Sequence, residues 1–351
     1  MAKQAEQIHR LLNQPIVKAA TQILGSENVR LVGGAVRDLC VGIEPADLDM
    51  ATSLLPNQVI QLLEDAGHKT IPTGLAHGTI TLLLNNVPLE ITTLRKDVST
   101  DGRRATVAFT DDWKEDALRR DFTFNALALT SHGELVDYFG GEADLKAGHV
   151  RFVGDARQRI HEDHLRLLRY FRFYARFGKQ APSQDLQAIL TQEAPKLLTL
   201  SAERIQKEIL SLLPLQQAAK SLTLMSALGI DNLLFGYRFN MDAFNTLCGF
   251  EHQFDQPDPL RRLAALLDRN EVAMEHTCQR LKLSNTDKKR FRFMSQNRSS
   301  LITHPLHEAL YKSGAQAVVD DLLLQNKIDH HALEKANNWM RPVFPVTGQD
   351  L

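Results

Sequence analysis

The stretch LVGGAVRD (31–38), followed by the acidic triplet DLD (47–49), decides how the N-terminal part of this chain folds. Its apolar start predicts a short strand, and a helix is predicted directly after the two glycines. Paired glycines let a backbone approach a phosphate closely, a helix start favours a negative charge, and Arg37 can reach the same anion. The spacing matches neither GxGxxG nor GxxxxGK[ST], which excludes dinucleotide-binding and P-loop sites. Because a glycine pair alone is more often structural, the neighbouring motifs decide its meaning.

The acidic triplet places Asp47 and Asp49 two residues apart on a predicted strand, 47–51. Alternate residues of a strand point to the same face, so the two carboxylates are expected side by side. Mg²⁺ usually takes one or two carboxylates plus substrate phosphates, and two such ions can activate a hydroxyl and stabilise leaving pyrophosphate. Glu90, on a later strand, could supply a third carboxylate. A DxD pair alone is most often a solvated turn.

The chain as a whole is predicted to be α+β, with a mixed sheet unit of about 140 residues followed by helices. Strands are expected at 78–84 and 87–94, joined by a tight turn at Asn85-Asn86. The polar residues 95–112 are expected to form a mobile loop. From about residue 155 the apolar pattern is helical to the end of the sequence.

Bulk composition narrows the class of protein. Of the 351 residues, 43% are hydrophobic and 24% charged, which allows a well-packed core. No apolar run reaches the length of about 18 residues needed for a membrane span, and the N-terminus lacks the apolar part of a signal peptide. We therefore expect a cytoplasmic protein without a membrane partner. The three cysteines form no CxxC pair, and the net charge of −1 does not by itself indicate a nucleic-acid partner.

Two further motifs carry arginines. Residues 119–126 read RRDFTFNA, and residues 162–173 read EDHLRLLRYFRF. In the second motif a carboxylate and three arginines recur every three residues and form one stripe on a helix: Asp163, Arg166, Arg169 and Arg172. Three arginines with one nearby carboxylate suggest that this side of the helix binds an anion such as a triphosphate. The spacing of His161 and His164 could suggest a metal site, but no third ligand follows.

The carboxylate–arginine pair of this helix also has the chemistry to read a base. Cytosine N4 and adenine N6 donate hydrogen bonds, which a carboxylate accepts, and the adjacent ring nitrogens accept, which suits an arginine. Uracil and guanine present the opposite pattern on this edge and would be rejected. Edge recognition of an unpaired base is a normal strategy of proteins.

Taken together and in order, the three motifs resemble the signature shared by CCA-adding enzymes and bacterial poly(A) polymerases, over roughly residues 29–178. The resemblance implies a polymerase-beta-like nucleotidyltransferase head (1–150), a helical neck that recognises the base (151–215) and a helical body that binds tRNA (216–351). It also implies a function: template-independent addition of C, C and A to the 3′ end of tRNA from CTP and ATP, with Mg²⁺.

The resemblance implies roles for individual residues. Asp47 and Asp49 would be the catalytic carboxylates that bind the metal, and Glu90, from its place on a later strand, is expected to be a further catalytic carboxylate. Arg120 would contact the triphosphate or ribose, Asp121 and Asn125 would shape the sugar pocket, and Asp163 with Arg166 would replace a template. The residues expected to bind the nucleotide are Gly33, Gly34, Arg37, Arg120, Asp121, Asn125, Asp163, Arg166, Arg169 and Arg172.

Several relatives use the same chemistry. Poly(A) polymerases usually carry a basic pair before a histidine at the place of PTGLAHG (72–78), whereas here Leu75 and Ala76 follow Gly74, which favours a CCA-adding enzyme. In such enzymes a flexible loop at the place of residues 95–112 helps to switch from CTP to ATP. A poly(A), CC-only or A-only enzyme stays open as an alternative. So does a non-catalytic RNA-binding protein, although its expected broken motifs are not seen.

The helical remainder resembles the family less closely. One basic cluster there could hold tRNA phosphates and consists of Lys288, Lys289, Arg290, Arg292 and Arg298. The last residues, VTGQDL (346–351), resemble the start of the family's C-terminal tail. We expect the rest of that tail to be truncated or absent.

Overall fold

The computed structural model describes residues 2–45, 47–100, 105–254, 257–295, 306–325 and 330–340. The chain divides into two compact units, Met1–Ile189 and Leu190–Leu351. The segment 151–215, predicted to be a neck, contributes residues to both units.

The first unit combines a sheet with helices. Its described strands are β1 (Val29–Val32), β2 (Asp49–Thr52), β3 (Lys69–Gly74), β4 (Thr79–Leu84), β5 (Val87–Thr93), β6 (Arg95–Thr100), β7 (Ala105–Phe109), β8 (Ala128–Thr130) and β9 (Leu135–Val136). Its described α-helices are α1 (Ala2–Leu12), α2 (Pro15–Leu24), α3 (Gly34–Cys40), α4 (Pro56–Asp65), α5 (Trp113–Leu118), α6 (Gly141–Ala147), α7 (Ala156–Glu162), α8 (Leu165–Phe177) and α9 (Gln184–Glu193), which contains the boundary between the units. Short 3-10 helices cover Leu75–His77 and Thr123–Asn125.

Seven strands form one mixed sheet in the order β3-β4-β5-β2-β1-β8-β9. The β2–β5 pair is parallel, and the other neighbouring pairs are antiparallel. The predicted mixed sheet is confirmed. One face packs under α1, α2 and α4, and its apolar side chains include Leu31, Met50, Leu82 and Ile91, each at most 1% exposed. Because side chains alternate along a strand, the other face stays available for a site.

The tight turn predicted between the two strands is confirmed at Asn85-Asn86. Both residues have positive φ, 50° and 63°, and Leu84 pairs with Val87. Two left-handed residues match the right-handed twist of the flanking strands.

The predicted mobile loop at 95–112 was wrong over the described residues. Arg95 pairs with Phe109 and Lys96 with Ala108, so β6 and β7 form a second, two-stranded sheet. The polar composition of this segment concealed its strands, because an antiparallel pair is held by backbone hydrogen bonds that polar side chains do not prevent. Its connecting residues 101–104 lie outside the described part of the chain.

The second unit is helical, as predicted. Its described helices are α10 (Ala202–Leu212), α11 (Ala218–Ala227), α12 (Ile230–Phe235), α13 (Met241–Phe254), α14 (Pro259–Leu266), α15 (Glu271–Arg280), α16 (Asn285–Ser295), α17 (Leu306–Ser313), α18 (Ala315–Leu324) and α19 (His330–Asn337), preceded by a 3-10 helix at Ala194–Thr199. A buried ionic network crosses its core, where Arg261 binds Glu251 and Asp320, both at 2.9 Å. Over the described residues, no helix is long and apolar enough to cross a membrane.

Candidate nucleotide site

A cavity of about 610 Å³ lies in the first unit on the sheet face away from α1, α2 and α4. Its lining combines the glycine turn, the ends of β2 and β5, the end of α5 and one side of α8. The predicted site residues that line it are Gly33, Gly34, Arg37, Asp49, Glu90, Arg120, Asp121, Asn125, Asp163, Arg166, Arg169 and Arg172. Three motifs that are far apart in sequence therefore meet in one cavity.

The carboxylates of Asp49 and Glu90 lie side by side on parallel neighbouring strands, where the two residues are register partners. Asp49 faces the open cavity, but the cavity walls reduce its hydration. This desolvation and the neighbouring carboxylates of Glu90 and Asp47 raise the pKa of Asp49, against the opposing charge of Arg120. Like charges held this close suit a cation between them.

Asp47 is placed differently from the prediction. β2 begins at Asp49, which pairs with Val32, the last residue of β1. Asp47 therefore lies in the bend before the strand, exposed and outside the cavity lining. The expected strand over 47–51 was wrong by two residues, because β1 ends at the glycine turn and offers no partner before Asp49. Asp47 still lies near enough to contribute to the raised pKa of Asp49.

The glycine turn leaves an open position between opposite charges. Gly33 has a φ of 70°, a left-handed conformation that glycine adopts without steric cost. A Cβ on Gly33 would lie 3.4 Å from a terminal nitrogen of Arg120 and 3.8 Å from Asp49 Oδ2. The absence of a side chain here keeps the space between carboxylate and guanidinium free for a ligand atom.

Arg37 lines the cavity but is almost fully buried. It is 7% exposed, and it donates from Nε to Asp38 at 2.9 Å and from a terminal nitrogen to Asn125 Oδ1 at 2.7 Å. Burial lowers the pKa of Arg37, while Asp38 opposes the shift. These contacts favour a positioning role, and direct contact with an anion stays a prediction.

Asn125 and Asp121 link Arg37 to α8. The Asn125 amide donates to Asp121 Oδ1 at 2.9 Å, and Asp121 Oδ2 accepts from Arg169 Nε at 2.6 Å. Burial alone would raise the pKa of Asp121, but Arg169, Asn125 and the backbone amide of Phe122 lower it. Asp121 therefore stays ionised and orients Arg169 at the cavity wall.

Asp116 was missed by the sequence reasoning. It is 4% exposed, and its carboxylate accepts from Arg119 at 2.7 Å, from Arg120 at 3.1 Å and from the backbone amide of Arg95 at 3.3 Å. Burial would raise its pKa, yet the two guanidinium groups lower it. The available signal was its spacing, three and four residues before the arginine pair, which places it on the same helical side.

The arginine-rich motif is divided between two helices. Asp163 follows directly after α7 as its C-cap, and its Oδ1 accepts from the backbone amide of Leu165 at 3.1 Å. Arg166 on α8 donates to Glu162 at 2.6 Å and to the carbonyl of Arg119 at 2.7 Å. Further along α8, Arg172 stacks at 4.4 Å from the ring centroid of Phe173. Each guanidinium is thus held in one orientation along the cavity.

Two arginines of the basic cluster in the second unit form ion pairs. Arg290 donates to Asp320 at 2.7 Å and to Asp258 at 3.0 Å, and Arg292 donates to Glu275 at 2.7 Å. These pairs favour a structural role for Arg290 and Arg292 because their guanidinium groups are already neutralised. RNA binding by Lys288 and Lys289 stays a prediction. Arg298 and the tail-like VTGQDL segment lie outside the described residues.

The chain is similar to several known proteins. Residues 29–151 match the family described as the poly A polymerase head domain. The mitochondrial CCA tRNA nucleotidyltransferase 1 of Mus musculus is 37% identical over 351 residues, covering 95% of this chain and 80% of that protein. The CCA-adding enzyme of Leuconostoc mesenteroides is 43% identical over 195 residues, which cover 55% of this chain and 47% of that enzyme.

A solved structure agrees with the sequence comparison. The Bacillus stearothermophilus CCA-adding enzyme in complex with CTP matches with a TM-score of 0.73 at 27% identity, covering 92% of this chain and 82% of that one. The matching fold includes both the sheet unit and helices of the second unit.

Proposed function

The chain belongs to the family of CCA-adding tRNA nucleotidyltransferases, and on that premise we propose that it adds C, C and A to the 3′ end of tRNA. CTP and ATP are the nucleotide substrates, and pyrophosphate is released. The observation that carries the proposal is the single cavity that joins paired carboxylates, a glycine turn and the arginine side of α8. Phosphoryl transfer depends mainly on positioning and charge neutralisation, which these groups supply.

The carboxylates fit a divalent cation, and we take it to be Mg²⁺. Asp49 and Glu90 present oxygen ligands on neighbouring strands, and desolvation together with the negative charges of Glu90 and Asp47 raises the pKa of Asp49. Among the described residues no group of three or more His, Cys, Asp or Glu side chains forms a metal site. Mg²⁺ commonly takes one or two carboxylates and completes its shell with phosphates and water. Bound there, Mg²⁺ would neutralise charge on the reacting phosphate.

The triphosphate is assigned to the β1 side of the carboxylates. Gly33 leaves room beside Asp49, and Arg120 borders the same space. Arg120 is held by Asp116, so its remaining donors are directed rather than free to rotate. Arg169, oriented by Asp121, and Arg172, stacked on Phe173, extend the positive wall along α8. In this proposal an anionic nucleotide would bind with its reacting phosphate at the carboxylates.

The base is assigned to Asp163 and Arg166. Glu162 and the carbonyl of Arg119 fix the Arg166 guanidinium from two sides. A fixed guanidinium and an adjacent carboxylate match the acceptor and donor on the edge of cytosine or adenine. They oppose uracil and guanine, whose pattern is reversed. Protein groups would then select the nucleotide in place of a template strand.

The proposed function is tested by the length of the products that the protein forms on a tRNA acceptor. The protein is incubated with Mg²⁺ and a tRNA transcript that ends at the discriminator base, with CTP, ATP or both, and products are resolved to single nucleotides. We expect two additions with CTP and a third when ATP is also present. A stop after two additions would identify a CC-adding enzyme. A long ladder with ATP alone would identify a poly(A) polymerase, and no extension would leave the non-catalytic RNA-binding alternative.

We also propose that the protein acts in the cytoplasm. The relatives include a mitochondrial protein and a bacterial one, and fractionation of the source cells would test the location.

A further inference from the structure

The sheet face that carries the carboxylates continues past Glu90 onto β4 and β3. Register pairs Glu90 with Thr81 and Thr92 with Thr79, so these side chains share one face. Thr73 on β3 joins them, because its hydroxyl lies 2.8 Å from that of Thr81. We call the four residues Thr73, Thr79, Thr81 and Thr92 the hydroxyl face.

The hydroxyl face and the glycine turn lie on opposite sides of the carboxylates. Across the sheet the order is β1, β2, β5, β4, which places Gly33 before Asp49 and the hydroxyl face from Glu90 onward. Strands are about 4.8 Å apart, so the face begins within one strand of the carboxylate pair. Thr79 and Thr92 also line the cavity itself.

The chemistry requires a second substrate on that side. In phosphoryl transfer the attacking and leaving oxygens lie roughly in line through phosphorus. With the triphosphate on the β1 side, beside Gly33 and Arg120, pyrophosphate leaves in that direction. The attacking 3′-hydroxyl must then come from the opposite side, over β5 and β4. We propose that the hydroxyl face binds the terminal ribose of the acceptor RNA.

The groups on this face suit a ribose. Thr79 and Thr92 share one hydrogen bond of 3.1 Å between their hydroxyls, which leaves one O–H to donate and oxygen lone pairs to accept. A 2′-hydroxyl is both donor and acceptor and distinguishes RNA from DNA. Neutral hydroxyls also compete poorly with the arginines for the triphosphate, so the two substrates are kept apart.

The experiment measures coupling between protein and RNA hydroxyls, and its interpretation rests on the proposed function. Thr79→Val and Thr92→Val are combined, because valine keeps the shape and the strand preference while it removes the hydroxyl. The dissociation constant is measured, without nucleotides, for tRNA ending at the discriminator base and for the same tRNA with a 2′-deoxy terminal nucleotide. Thr130→Val is the matched control, since Thr130 lies on the same face but beyond β1.

For the wild-type protein we expect the deoxy acceptor to bind about fivefold more weakly, the loss typical of one neutral hydrogen bond. The double variant should bind both acceptors alike, at the weaker level, while its KM for CTP stays unchanged. The inference would be overturned if the double variant still bound the tRNA with the terminal 2′-hydroxyl more tightly than the deoxy tRNA. A raised KM for CTP with unchanged RNA binding would also overturn it. The wild-type protein could show this dependence on the 2′-hydroxyl and on the threonine hydroxyls and yet add no nucleotide. That result would support RNA binding by the hydroxyl face and would overturn the proposed function.

Discussion

The substitution Asp116→Asn tests whether Asp116 holds the cavity arginines Arg119 and Arg120 in place. The substitution keeps the shape of the side chain and removes its charge. One carboxylate oxygen becomes an amide donor that faces a guanidinium, although the oxygens now accept from Arg119 at 2.7 Å and Arg120 at 3.1 Å. The backbone amide of Arg95, at the start of β6, also loses a charged acceptor. We therefore expect both stability and nucleotide binding to decrease.

The expected loss of stability follows from the burial of the ion pairs that Asp116 forms. Removing one partner of a fully buried ion pair costs about 3–5 kcal/mol. Here the carboxylate is 5% exposed but the two arginine side chains are 19% and 18% exposed, so water compensates in part. We expect a loss of about 2–3 kcal/mol in the free energy of unfolding. Release of Arg120 should cost one charge-assisted contact with the nucleotide, about 1.5 kcal/mol or a tenfold rise in KM.

Urea unfolding and initial rates with CTP and ATP measure the two effects. Asp111→Asn is the control, since Asp111 is exposed and the charge change is the same. The pKa of Asp116 is lowered in the folded chain. The stability difference should therefore be complete above the unfolded pKa of about 3.9 and disappear as pH falls through the lower folded value. A loss no larger than that of Asp111→Asn, with unchanged KM, would refute the reasoning.

Three further predictions concern other parts of the site. Asp49→Asn should lower single-turnover extension at least about a hundredfold by removing a metal ligand. It should also stabilise the metal-free fold at neutral pH, because the raised pKa of Asp49 means that its ionisation destabilises the fold. This cost grows as pH rises from the unfolded pKa to the higher folded pKa and stays constant above it. Unchanged turnover would contradict the metal assignment. Arg166→Ala should weaken discrimination of CTP and ATP against UTP and GTP more than it weakens RNA binding, and retained discrimination in competition assays would exclude base reading. Gly78→Ala should destabilise the fold by at least about 1 kcal/mol more than Gly42→Ala in thermal unfolding: both glycines have positive φ, but the new Cβ at Gly78 would lie 2.8 Å from Phe109, whereas nothing lies within 4 Å at Gly42. Equal losses would mean that Phe109 moves aside freely.

The sequence predicted the elements whose signals are local. The Asn85-Asn86 turn is one, because residues that tolerate positive φ stand between two apolar alternating runs. The arginine spacing on α8 is another, because a helical repeat alone brings Arg166, Arg169 and Arg172 to one side. The glycine turn also followed, since an apolar strand before it and a helical pattern after it define its place.

Only the tertiary structure decided which charged groups face the ligand and which are already paired. Arg37 bonds to Asn125, 88 positions away, and Arg290 bonds to Asp320, 30 positions away. No periodic pattern encodes such partners, because a guanidinium binds an oxygen acceptor equally well wherever that acceptor lies in the sequence. Asp47 and Asp49 look equivalent in sequence, yet β2 begins at Asp49 and leaves Asp47 outside the strand, because β1 ends at the glycine turn. Local periodicity thus determined the elements and motifs, while competition among charges brought close by folding determined the orientation of each side chain.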